Sequence, residues 1–135
     1  MVKRVVSLCF GLLLFVHSAD AQSSERVLGQ LKASIMAADA VGLAQQTMNS
    51  VEIAQFGEGR YYSRGQATLL LKGFFKDYPP EDFEVVASTR TPGAWFVEGA
   101  YTTKGSASKL KIYIRLRIAE GTWKVREFLI EDSDE

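Results

Sequence analysis

The clearest pattern in the chain is a strict alternation near its end. Leu110, Ile112, Ile114, Leu116 and Ile118 fall on one side of an extended segment, and Lys111, Tyr113, Arg115 and Arg117 on the other. That is a strand of a sheet with one buried face. Period two also marks Phe83 to Thr89, Ala94 to Thr103 and Trp123 to Glu131, with turns at Thr91-Pro92-Gly93, Lys104-Gly105-Ser106 and Glu120-Gly121. Upstream the period is helical. Val27, Leu28, Leu31, Ile35 and Met36 make one stripe of a helix capped at Ser23 or Ser24 and running to about Ala38. Asp39 caps a short second helix, Ala40 to about Met48. Val51, Ile53 and Phe56 suggest a first strand, Gly57-Glu58-Gly59 a turn, and Arg60-Tyr61-Tyr62 a strand pairing back. Ser63 and Gln66 form a capping box for a third helix with Ala67, Leu70, Leu71, Phe74 and Phe75 inward, ending before Pro79-Pro80. Helices followed by hairpin-linked strands predict an α+β fold, three N-terminal helices packed on one face of a curved, mainly antiparallel sheet.

The first residues follow a different logic. Lys3 and Arg4 precede an apolar run, Val5 to Val16, and Ala19-Asp20-Ala21 is an A-x-A site. This is the pattern of a secretory signal peptide. The run is shorter than the ~20 apolar residues that span a bilayer core. Cleavage is expected after Ala21, which divides the chain into a signal peptide at 1–21, one domain at 22–131 and an acidic tail at 132–135. Cys9 lies inside the run rather than at the cleavage point, so no lipid anchor is expected. The product is expected to be exported, periplasmic or secreted, with no stable membrane anchor after cleavage.

Cleavage also changes the chemistry available. It removes Cys9 and His17, the only Cys and the only His. A disulfide, a Cys/His zinc site and His-dependent nucleophilic catalysis are then excluded. No metal and no cofactor is expected. Removing Lys3, Arg4 and Asp20 from 16 basic and 16 acidic residues leaves 14 and 15. A net charge near −1 gives no general reason to bind nucleic acid.

Several stretches carry a resemblance. Val51-Glu52-Ile53, Tyr62-Ser63 with Gln66-Ala67, Leu71-Lys72-Gly73-Phe74-Phe75, Pro79-Pro80 with Phe83, Gly99-Ala100-Tyr101-Thr102-Thr103, and Trp123-Lys124-Val125 with Ile130-Glu131 are similar to a small bacterial family, domain of unknown function 4783. That family belongs to the nuclear transport factor 2-like superfamily of cone-shaped α+β folds. It occurs mainly in Bacteroidetes and is likewise preceded by a signal peptide. The resemblance implies the cone but brings no catalytic residue with it. The superfamily includes isomerases, dehydratases, carriers and assembly modules, so fold alone does not choose among them.

Enzymes of such a fold need polar groups inside the cone. Five aliphatic side chains on one face of the strand 110–118 argue against that. Glu127 is the exception. Strict alternation groups it with Trp123, Val125 and Leu129, which would make it a pocket acid near Tyr61 or Tyr62. A β-bulge near Arg126 would instead send Phe128 and Ile130 inward and Glu127 out to solvent. On the opposite face, Tyr113, Arg115 and Arg117, with Trp95 and Tyr101 from the neighbouring strand, are expected to form an interface. The expected function is that of a non-catalytic exported module acting through this surface, as a homodimer or on an envelope protein partner. The alternative is a small-molecule binder or isomerase-like enzyme using the cone interior around Glu127.

Overall fold

The computed structural model describes residues 19–105 and 108–133, with side chains from residue 24 onward. The predicted signal peptide therefore lies almost wholly outside the described residues. Helix α1 spans Ala19–Met36, so the predicted cleavage position falls in its first turn. It begins upstream of Ser23, and Ser24 sits within it rather than capping it. Its end is a Schellman turn. Ala38 takes a left-handed φ of 51°, its N–H donates to the Ile35 carbonyl and that of Asp39 to the Ser34 carbonyl. Asp39 then caps α2 (Ala40–Gln45), accepting from the Gly42 N–H at 2.9 Å. A side chain at Gly42 would put its Cβ 2.2 Å from an Asp39 carboxylate oxygen, so glycine is needed for this cap.

α2 is shorter than expected because Thr47 already starts β1 (Thr47–Gln55). β2 (Arg60–Ser63) pairs back on β1 in antiparallel register. α3 (Arg64–Asp77) follows that hairpin, so the three helices are not consecutive at the N-terminus. Its start is the capping box read from the sequence: Gln66 N–H donates to Ser63 Oγ, and Ser63 N–H to the Gln66 side chain. Ala67, Leu71, Phe74 and Phe75 are its buried face.

β3 (Pro80–Arg90), β4 (Trp95–Thr103), β5 (Lys109–Ala119) and β6 (Thr122–Asp132) complete one six-stranded sheet in the order β2-β1-β6-β5-β4-β3. All pairs are antiparallel except β1 with β6. β5 and β6 join through Glu120 and Gly121, with φ of 53° and 79°, the left-handed pair of a type I′ hairpin turn. β6 runs to Asp132, one residue into the predicted tail, and residues 134–135 lie outside the described ones. Register shifts interrupt β1/β6, β3/β4 and β5/β6. Such bulges bend strands and raise local twist, which lets the sheet curve around the helices.

The inner face is closed by large side chains. Phe74, Phe83, Trp95, Tyr101 and Phe128 are each at most 2% exposed, among Ile112, Ile114 and Leu116. Gly99 makes room for one of them: a Cβ there would lie 2.3 Å from the Phe83 ring.

Candidate functional site

The placement of Glu127 follows from one extra residue. Leu116 faces Val125 and Arg115 faces Glu127, which leaves Arg126 unpaired in a bulge. Alternation restarts after it, so Val125, Phe128 and Ile130 are all buried. Glu127 thereby lies on the outer face of the sheet, which no helix of the described residues covers, and not in the interior. Its carboxylate accepts from the Arg115 guanidinium at 2.5 Å, with the two side chains 22% and 26% exposed. The Arg115 Nε is buried without a partner of its own.

Tyr61 and Tyr62, the expected companions of Glu127 in a pocket, part company. Tyr61 is opposite Glu52, which is itself opposite Glu127, so Tyr61 shares the outer face. Its ring lies 4.7 Å beneath the Arg126 guanidinium, a cation–π contact. Tyr62 packs against the core from the other side. The interior thus gains neither the acid nor Tyr61.

The expected interface also needs a correction. Tyr113, Arg115 and Arg117 do face outward, with Arg117 exposed. Trp95 and Tyr101 do not join them. Trp95 is opposite Leu116 and Tyr101 opposite Leu110, so both point inward and are buried. Aromatic character does not reveal a face; the parity of Glu98 does. A charged residue at 98 puts the even positions of β4 outside and 95, 97, 99, 101 and 103 inside. Phe96 has that outer parity and is the aromatic that an interface reading needs. It is 47% exposed, opposite Arg115.

The buried aromatics have structural work instead. Trp95 Nε1 donates to Ser88 Oγ at 2.7 Å. Arg90 lies 4.8 Å over the Trp95 ring and 5.5 Å over that of Trp123, and donates to Ser24 Oγ, which ties β3 and β4 to α1. Tyr101 donates to the Tyr78 carbonyl and packs against Phe74. Burial pushes its phenol well above the usual range, so it stays protonated.

On the outer face, rows of paired positions cross the sheet. One row is Tyr61, Glu52, Glu127, Arg115, Phe96 and Thr89. The next holds Leu129, Tyr113 and Glu98. Between them is an open groove of about 560 Å³, its walls including Phe96, Glu98, Tyr113, Arg115, Glu127 and Leu129. Apolar side chains and charges of both signs share this groove.

Comparison with known proteins supplies the fold and the family. The chain resembles a DUF4783 family protein from Bacteroides ovatus, with a TM-score of 0.72 at 15% identity over 78% of this chain and 94% of that one. A second, from Bacteroides uniformis, matches with a TM-score of 0.72 at 14% identity over 79% and 97%. An NTF2-like protein of unknown function from Shewanella baltica matches with a TM-score of 0.66 at 12% identity over 86% and 95%. No curated protein matches the chain. The family described as "Domain of unknown function (DUF4783)" matches residues 28–131, nearly all of the domain. The chain belongs to the DUF4783 family, and its fold is the α+β, curved-sheet fold of NTF2-like proteins.

Proposed function

We propose that this chain is an exported, non-catalytic module whose working surface is the outer face of its sheet, where it pairs with a second copy of itself. The observation that carries this is the groove around Phe96, Tyr113 and Leu129 on the face that no helix of the described residues covers. Large apolar side chains there have no cover among the described residues: Phe96 stays 47% exposed near the start of β4. The charges favour a self-complementary contact. Lys111, Arg115 and Arg117 run along the central strand β5, with Glu98 on β4 and Glu127 and Glu131 on β6 flanking it. A twofold axis brings the same patch to itself, so a face holding both signs can match its own copy. The interior fits the same reading, because Phe74, Phe83, Tyr101 and Phe128 are packed side chains rather than the walls of a polar pocket.

Export rests on the pattern of residues 3–21; N-terminal sequencing of secreted material is expected to begin at Gln22. A small molecule in the outer groove is the second reading. It is favoured by a volume above the ~300 Å³ at which ligand sites begin. Light scattering separates the two. A dimer that falls to half its mass in Tyr113→Ala and Arg115→Glu supports pairing. A mass unchanged by both substitutions rejects it.

A further inference from the structure

A second concave site lies where β1 and β6 part. Thr47 faces Val125 and Glu52 faces Glu127, so residues 48–51 of β1 stand against the single bulged residue Arg126. β1 bows away from β6 here while its other edge stays paired with β2, Ser50 opposite Ser63. The gap is a cleft of about 490 Å³. Arg64, Lys124 and Arg126 line it, together with Asn49, Ser50 and Glu120.

The three cations reach this cleft from two elements, Arg64 from the start of α3 and Lys124 and Arg126 from β6, and each is held by a backbone carbonyl. Arg64 donates from Nε and Nη2 to Thr47 O at 3.1 and 2.7 Å. Arg126 Nη1 donates to Ser50 O at 3.0 Å, and Lys124 Nζ to Gln45 O at 3.4 Å. These bonds satisfy two carbonyls of β1, at Thr47 and Ser50, and one at the C-terminal end of α2. They do not neutralise charge, because a carbonyl is a dipole. Among the described residues, the ion pair formed is Arg115 with Glu127, and no carboxylate bonds to any of the three. Glu120 offsets one charge of three at the edge. Both guanidinium groups keep unused N–H donors, since a guanidinium has five.

We propose that this cleft binds a phosphate or sulfate group carried on a small polar molecule. Planar guanidinium forks match tetrahedral oxyanions. Anchoring on carbonyls orders the forks in advance, so less freedom is lost on binding. The volume exceeds what a bare oxyanion fills, and Asn49 and Ser50 offer neutral hydrogen-bonding groups to the rest of the ligand. The site is at the opposite end of β6 from Glu131 and uses none of the groove residues, so it stands or falls separately from pairing through the outer face.

The test is an amide-resolved NMR titration with glucose 6-phosphate and, separately, glucose 6-sulfate, at constant ionic strength. Glucose is the neutral control. Saturable shifts at Asn49, Ser50, Lys124 and Arg126 with either anion, and none with glucose, are expected. Arg64→Gln combined with Arg126→Gln should weaken binding at least tenfold, while glutamine keeps a donor for each carbonyl. If that variant does not fold, Lys124→Met, which removes only the longest of these bonds, should still weaken binding severalfold. Shifts that grow without saturation across all exposed Lys and Arg residues overturn the proposal. So does unchanged affinity in the variants.

Discussion

β4 and β5 carry two surfaces made from the same strands and the same alternation. Inside, Trp95, Val97 and Tyr101 stand opposite Leu116, Ile114 and Leu110, and every one is at most 3% exposed. Outside, Phe96 and Glu98 stand opposite Arg115 and Tyr113, and all remain in contact with solvent. What differs is the cover. The helices complete the inner face within one chain, whereas the outer face has aromatic and aliphatic side chains but, among the described residues, no second layer. In this fold the inner face has been given to packing. The proposed pairing would supply the cover that the outer face lacks.

The sharpest way to break that contrast is to cut into the inner face. Phe74→Ala should destabilise the protein by about 3–5 kcal/mol, as truncation of a fully packed aromatic does. A loss below about 1 kcal/mol in urea unfolding would mean that the interior is not filled. Overpacking comes next. Gly99→Ala forces a Cβ into the Phe83 ring and should cost about 1–3 kcal/mol. Adding Phe83→Leu should recover part of that loss, because neighbouring changes couple.

Tyr101 sharpens the contrast through pH. Its folded-state phenol is raised by burial, while the unfolded value is about 10. Its contribution is therefore fully present below about pH 10 and lost as pH rises toward the folded value. Tyr101→Phe should cost about 1 kcal/mol near neutrality, for the lost bond to the Tyr78 carbonyl. It should also remove part of the alkaline loss, read from urea midpoints at about pH 8 and pH 11. The smallest stability effect belongs to the outer face. Phe96→Ser should change stability by less than about 0.5 kcal/mol while weakening self-association in light scattering.

The elements were readable in the chain because local signals agreed with the fold. The capping box at Ser63 and Gln66, the cap at Asp39 and the five aliphatic positions from Leu110 to Ile118 each point to one local structure. Even so, Ile118 lies at the end of the sheet and is 54% exposed, since alternation gives a face but not where cover stops. The site was harder to read because it depends on register. One bulged residue, Arg126, decides whether Glu127 is inside or outside, and no local propensity marks a bulge. Trp95 and Tyr101 look like interface residues by type. Only the parity set by Glu98 shows that they belong to the core and that Phe96 belongs outside. The cleft at Arg64, Lys124 and Arg126 joins residues from α3 and β6 across the start of β1, a proximity that sequence spacing does not contain.

A dilution series followed by NMR tests the outer-face assignment most directly. Signals of Phe96, Tyr113 and Leu129 should move with protein concentration, while those of Val97 and Ile114, one position away on the same strands, stay fixed. Signals that do not depend on concentration, or that move on a different surface, would contradict it.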